Sequence, residues 1–280
     1  MSQLQPALDH VVINVGPQLD EAAALFQRLG FQLTARGHHS LGSSNHLAIF
    51  DNNYLELLGY EPDRGNLRRD LWQSPIGLSG LVWKTNDADT VYQHLQQQQL
   101  ADTPPGSFFR PVTLPDGSET EARFRTVRLH ADRVPNGRSF FCQHLTPDAV
   151  WQKDWQVHSN GVTQIREFVI AADHPGQAAE VYLQLFPSVA LQETESGERV
   201  IDAGVARIRF VPTEAAKAEF GTLPNDYNGS ARMVALSLHS TSLEQVKNSL
   251  SQSGIPFHED RQGVRVDARH AFQLALRFTQ

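Results

Sequence analysis

The chain has 280 residues, a formal net charge of −7, 40% hydrophobic and 20% charged residues, the composition of a soluble globular protein with a substantial core. The acidic balance without any Lys/Arg run excludes a nucleic-acid partner or an anionic membrane surface, and no apolar run reaches the roughly 18 residues of a membrane span. MSQLQPALDH lacks the basic and apolar regions of a secretory signal, and Cys142, the single cysteine, excludes an internal disulfide or a cysteine zinc cluster, so a cytoplasmic location is expected.

In chain order, LDHVVINV reads as a strand, because Val and Ile suit a pleated surface. QLDEAAALFQRLG follows as a helix, with Leu19, Ala22, Phe26 and Leu29 near helical spacing and Gly30 as its stop. GFQLTARG, SNHLAIF and NYLELLGY then read as strands, giving the order β-α-β-β-β. The order recurs. LSGLVWKT, the helix NDADTVYQHLQQQQL, FFRPVTL, EARFRTVRL and RSFFCQHL form a second unit. TQIREFVIAA, the helix PGQAAEVYLQLF, VALQETE, RVIDAG and ARIRFVP form a third. MVALSLHS, the helix SLEQVKNSLSQSG, PFHED, GVRVDA and AFQLALRF form a fourth. The expected fold is α+β: four βαβββ modules forming two paired, curved, mixed β-sheets with helices outside. The linkers are EPDRGNLRRDLWQSP, TPDAVWQKDWQVHSN and TEAAKAEFGTLPNDYNG, and the middle one divides a domain over 1–150 (modules one and two) from a domain over 151–280 (modules three and four).

Two side chains interrupt apolar strands. By alternation His10 shares a face with Leu8, Val12 and Asn14, and Glu56 shares one with Tyr54 and Leu58. If both faces line one concavity, an imidazole and a carboxylate converge there. Such a pair begins a divalent-metal site or forms a plain hydrogen-bonded pair. Further ligands must come from module two.

The repeated unit, opening with LDHVVINV and closing with YLELLGY, resembles the vicinal oxygen chelate superfamily of glyoxalases, extradiol dioxygenases and metal-free antibiotic-binding proteins. RGHHSLGSSNHLAIFDNNYLELLGY is similar to its glyoxalase-like branch; the specific match covers about residues 7 to 60, and the repeat extends a weaker one over the chain. The resemblance implies a metal held by His10 and Glu56. Module two offers Gly80 at the position matching His10, so the third ligand falls to His144, which gives a two-His, one-carboxylate set, or to Gln143, which aligns better with Glu56 when Tyr54 and Phe141 are matched. His39, Asn45 and Gln143 are the implied substrate-binding residues, although Asn45 also suits a turn-tying role. His46 is expected to face a helix or solvent. The second half lacks the His and Glu positions and reads as a degenerate copy used for packing, pocket closure or dimerisation.

The expected function is that of a divalent-metal enzyme (zinc, nickel, manganese or iron) acting on a small oxygen-chelating substrate, with Glu56 catalytic. Lyase or isomerase chemistry of the glyoxalase kind stands ahead of ring-cleaving dioxygenation. The alternative is a non-catalytic protein that sequesters a small molecule in a cleft lined by Phe108, Phe109, Phe140 and Trp83. The resemblance also implies a homodimer. Cys142, inside an apolar run, is expected to be an inert buried thiol.

Overall fold

The structure is a computed structural model that describes residues 4–65, 67–101 and 103–280. Module one comprises β1 (Leu8–Gly16), α1 (Leu19–Arg28), β2 (Gly37–His38), β3 (Ser44–Ile49) and β4 (Tyr54–Gly59). After a short helix α2 (Arg69–Trp72), module two comprises β5 (Gly77–Thr85), α3 (Ala88–Gln97), β6 (Gly106–Thr113), β7 (Glu119–Arg128) and β8 (Arg138–His144). Module three holds β9 (Val162–Ala172), α4 (Pro175–Leu185), β10 (Gln192–Glu193), β11 (Arg199–Ala203) and β12 (Ala206–Pro212). Helix α5 (Thr213–Phe220) leads to module four: β13 (Arg232–Ser240), α6 (Leu243–Gln252), β14 (His258–Asp260), β15 (Gly263–Val266) and β16 (Ala275–Thr279).

The strands form two eight-stranded mixed sheets, in the order β2-β3-β4-β1-β5-β8-β7-β6 and the same order displaced by eight, β10-β11-β12-β9-β13-β16-β15-β14. Within a module the helix crossover makes the first and last strands parallel, as for β1 with β4 and β5 with β8. The modules join through antiparallel first strands, β1 on β5 and β9 on β13. The α+β architecture of paired βαβββ modules is therefore as the sequence implies.

One apolar core runs through the outer faces of both sheets and the helices on them. The Trp83 ring lies 5.9 Å from Tyr182 and 4.8 Å from Phe186, and Phe31 lies 6.3 Å from Phe278. Buried Arg232 on β13 donates to the carbonyls of Ile76 and Leu78 and ties the second sheet to the start of β5. The inner face of the first sheet carries a separate cluster that includes Val12, Leu47, Tyr54, Leu58, Phe124 and Cys142. The edges of this sheet meet, Ser40 N donating to the Phe109 carbonyl at 2.8 Å, so it nearly closes into a barrel around that face.

Among the segments that differ from their sequence reading, EPDRGNLRRDLWQSP contains the short helix α2, and AFQLALRF is a strand only from Ala275. GFQLTARG is not a strand until Gly37; before it, the Thr34 side chain accepts from Leu47 N at 3.1 Å, replacing part of a backbone ladder. VALQETE is reduced to the pair Gln192–Glu193. TEAAKAEF, expected as linker, forms α5 and buries Ala216 and Phe220 against the inner face of the second sheet.

Candidate metal and substrate site

The site lies on the inner face of the first sheet. The parallel register of β1 on β4 sets His10 beside Tyr54 and Val12 beside Glu56, so the imidazole and the carboxylate are diagonal neighbours. His10 stacks on the Tyr54 ring at 4.4 Å, and its Nε2 stands 3.8 Å from Glu56 Oε2. Both side chains line one cleft with His39, Asn45, Phe108, Arg110, Phe124 and Phe140.

Strict alternation fails at Asp9, and the failure supplies a residue that sequence reasoning missed. The register of β1 on β5 skips Asp9, pairing Leu8 with Trp83 and His10 with Val82. This bulge turns Leu8 to the outer core and brings the Asp9 carboxylate round to the His10 ring. His10 Nδ1 lies 2.6 Å from Asp9 Oδ2. Burial alone would raise the Asp9 pKa, but the charge of His144 and the hydrogen bonds from His10 and His144 overcome it and hold the carboxyl well below the usual range. The sequence signal was the Asp-His doublet itself, which alternation reads as pointing to opposite faces.

His39 and Asn45 come together with Glu56. Asn45 Nδ2 donates to Glu56 Oε1 at 2.7 Å and lies 3.2 Å from His39 Nε2, which itself is 3.8 Å from Glu56 Oε1. His39 Nδ1 meets Ser43 Oγ at 2.8 Å. With Asn45 donating to Nε2, the proton of a neutral ring sits on Nδ1. Burial, opposed by Glu56, pushes the His39 pKa down to about 4, which keeps the ring neutral at pH 7. The turn that delivers His39 needs Gly42, whose φ of +100° other residues rarely adopt.

His144 and Gln143 sit apart from that group. His144 Nε2 lies 3.0 Å from Asp9 Oδ2, so the Asp9 carboxylate stands between the two imidazoles that the sequence reading grouped around one metal with Glu56. Gln143 alternates to the outer face, where its Oε1 accepts from Ala88 N and its Nε2 donates to the Asn86 carbonyl at the start of α3. Trp83, expected in the cleft, is on the outer face in the core, and Phe109 is exposed; Phe108 and Phe140 do line the cleft. His46 turns away from the cleft, its Nδ1 on the Thr34 carbonyl.

Register also identifies the module-two counterparts of the pair. Aligning LDHVVINV with LSGLVWKT puts Gly80 in place of His10 and Val82 in place of Val12. Phe140 pairs with Val82 as Glu56 pairs with Val12. Module two thus contributes a glycine and an apolar ring where module one contributes His10 and Glu56. A different trio meets a metal-ligand spacing: a carboxylate oxygen of Asp9, the Cys142 sulfur and a His144 nitrogen lie within 4.8 Å of one another. Burial, with the nearby Asp9 and Glu56 charges, raises the Cys142 pKa well above its ordinary value, so without a cation the thiol stays protonated.

Among the described residues, the second sheet has no such His–Glu pair on its inner face. That face carries a cleft of about 770 Å³ lined by Arg209, which donates to Glu198, Glu219 and Glu167.

Residues 8–186 match the glyoxalase-like domain family. The fold is similar to that of a hypothetical protein from Staphylococcus aureus, at 14% identity and a TM-score of 0.66, over 97% of this chain and 98% of that one. It is also similar to a fusion of a xylose isomerase-like TIM barrel with 4-hydroxyphenylpyruvate dioxygenase, at 11% identity and a TM-score of 0.57, over 99% of this chain and 49% of that one. A mutant of 4-hydroxymandelate synthase from Streptomyces coelicolor aligns at 12% identity and a TM-score of 0.56, over 98% of this chain and 92% of that one. At these identities the likeness shows the fold. No curated protein matches the chain. Among the described residues, no helix is long and apolar enough to cross a membrane.

Proposed function

Since the chain belongs to the glyoxalase-like domain family of the vicinal oxygen chelate superfamily, we propose that it is a divalent-metal-dependent enzyme acting on a small substrate with two adjacent oxygens. Proton transfer of the lyase or isomerase kind stands ahead of ring-cleaving oxygenation. One observation carries the reading. His10 Nε2 and Glu56 Oε2 are 3.8 Å apart, too far for a hydrogen bond and within the roughly 3–4 Å that separates two ligands on one zinc-sized cation. Asp9 occupies the other ring nitrogen of His10, as a carboxylate does behind a metal-binding imidazole. His10 and Glu56 would hold the ion, and zinc, nickel, manganese and iron all suit this donor pair. His39 Nε2, 3.8 Å from the other Glu56 oxygen, is a further nitrogen near the pair. His144 would join only by leaving Asp9. A bound cation supplies Lewis-acid polarisation of a substrate oxygen.

The chain's own groups would do the rest. Asn45 fixes Oε1 of Glu56, so Oε2, the oxygen turned towards His10, would hold the ion in one state and would have to release it to act as a base on the substrate. His39, neutral at pH 7, can accept a hydrogen bond from a substrate hydroxyl in place of Asn45. The Phe108, Phe124 and Phe140 rings exclude water. A homodimer and a cytoplasmic location belong to the same reading, as does the division into domains 1–150 and 151–280.

A second reading, a non-catalytic binder of a small molecule, is favoured by Gly80 and Phe140, which leave the ligand set half filled. Metal analysis after loading and gel filtration separates the two. The enzyme reading expects one ion per chain, lost in His10→Ala and Glu56→Gln and retained in Cys142→Ser. A wild type that holds no ion sinks it and leaves the binder. Loss in Cys142→Ser with retention in Glu56→Gln would move the ion to Asp9, Cys142 and His144. Turnover without oxygen uptake in an oxygen electrode then supports proton transfer over oxygenation.

A further inference from the structure

Arg110 on β6 lines the same cleft with 3% of its surface exposed, and among the described residues neither its Nε nor its Nη2 has a hydrogen-bond partner. A buried guanidinium stays charged and is costly without a counter-ion or full hydrogen bonding. Glu56 and Tyr54 are near enough to influence it, yet neither hydrogen-bonds to Nε or Nη2, and Glu56 is engaged by Asn45. The interior makes room for this side chain. A Cβ on Gly37 would come within 2.9 Å of Arg110 Cδ and 2.5 Å of Asn45 Oδ1, so glycine there is what admits both groups.

The two buried, unpartnered atoms lie on one edge of the guanidinium. Nε–H and the adjacent Nη2–H point the same way and match the two oxygens of a carboxylate, a bidentate geometry that a point charge does not reproduce. The chain itself shows the occupied form: Arg209 presents Nε to Glu198 Oε1 at 2.5 Å and Nη2 to Glu198 Oε2 at 3.1 Å. Among the described residues, no carboxylate takes the corresponding place at Arg110.

The rest of the cleft limits the ligand. The Phe108 and Phe124 rings stack at 5.1 Å, and Phe140 faces them from β8, so the body of the ligand meets apolar surface. The cavity is about 60 Å³, against about 150 Å³ for a cavity that takes a benzene ring. A compact acid fits better than a ring system. Arg68, Arg128 and Arg138 also line the cleft, each engaged with other groups of the protein, and add to a positive surrounding in a chain whose net charge is −7.

We propose that the cleft takes a compact organic carboxylate, bound bidentately through Nε and Nη2 of Arg110, with its remaining oxygen-bearing end towards His10 and Glu56. The proposal deepens the enzyme reading above and rests on it for the cleft being the substrate site.

The test is calorimetric titration of the full chain with isobutyrate, pyruvate, the neutral isostere isobutyramide and inorganic phosphate, in metal-loaded and chelator-treated protein. Expected are saturable binding of both carboxylates, at least tenfold weaker binding of the amide, and at least a tenfold loss in Arg110→Met. Arg110→Lys should recover only part of that loss and serves as the second variant if Arg110→Met folds poorly. Failure of both carboxylates to bind, equal binding by wild type and Arg110→Met, or amide binding as tight as acid would overturn the proposal. Phosphate binding as tight as the carboxylates with the same Arg110 dependence would also overturn it, since the site would then accept any oxyanion. Carboxylate binding that survives in chelator-treated protein and in Glu56→Gln supports Arg110 even where the metal reading fails. Ion binding by a protein that ignores carboxylates would sink the Arg110 proposal alone.

Discussion

Asp9 grips His10 from the side away from Glu56: its Oδ2 is 2.6 Å from Nδ1, while Nε2 is left to face the cleft. An asparagine in that place keeps the volume but loses the charge and can turn an N–H toward the ring. Asp9→Asn is expected to fold and to bind zinc about 10–100-fold more weakly, the usual cost of removing the carboxylate behind a metal-binding His. Competition against a chelator of known affinity measures it. An unchanged affinity would mean that His10 is not oriented through Asp9.

Gln143 provides the opposite control. Its amide bridges Ala88 N and the Asn86 carbonyl at the head of α3, on the face away from the cleft. Gln143→Ala should lower stability by about 1 kcal/mol in urea unfolding, the ordinary net worth of a hydrogen bond or two. Carboxylate binding should be untouched. A fall in ligand affinity at unchanged stability would place this side chain at the substrate after all.

These two residues show what local pattern conveys and what it does not. His10 and Glu56 were legible because β1 and β4 belong to one module and pair in parallel, so a period of two on each strand fixes a shared face. The same rule hid Asp9, since one extra residue in β1 reverses every face before it. Arg110 was read only as part of the strand FFRPVTL. It reaches the site because β6, at the far edge of the sheet, curls round to meet β2, a closure carried by contacts such as Ser40 with Phe109 and by no periodicity. Helix α5 was read as linker because TEAAKAEF buries only two apolar side chains, and tertiary contact with the second sheet, rather than amphipathicity, holds it.

The contact between the first sheet and the segment leading to the second should be pH-sensitive. His158 Nδ1 accepts from Gln32 N at 3.0 Å, and its Nε2 donates to the Ile49 carbonyl at 2.8 Å. Burial lowers its pKa below the ordinary 6.5, against the opposing effect of the Ile49 carbonyl. The unfolded chain therefore takes up a proton first as pH falls. The stability contributed by neutral His158 is complete above pH 6.5 and declines as pH drops through the folded value. His39 acts in the same direction, down to about 4. Urea midpoints measured between pH 7.5 and about 4.5 should fall in the wild type. The fall should be shallower in His158→Gln, which cannot titrate. Parallel slopes would remove His158 from the account.

Arg209 tests whether the second sheet has exchanged chemistry for structure. It donates to Glu198, Glu219 and Glu167 on the inner face where the first sheet carries His10 and Glu56. Its own burial favours the neutral form, but the hydrogen bonds it donates to Glu198 and Glu219 outweigh it and raise its pKa. Replacing Arg209 with Met leaves three carboxylates crowded in a partly buried cleft, with Arg207 and Ser237 remaining on Glu167. The expected loss is about 3–5 kcal/mol at pH 7, the range for breaking a buried ion pair from one side. The loss should shrink towards pH 4, where the freed carboxylates can protonate. Urea unfolding at the two pH values measures it. The surviving folded protein should bind metal and isobutyrate as the wild type does, because no cleft residue of the first sheet is touched. Loss of ligand binding in a folded Arg209→Met protein would show instead that the second sheet shapes the site.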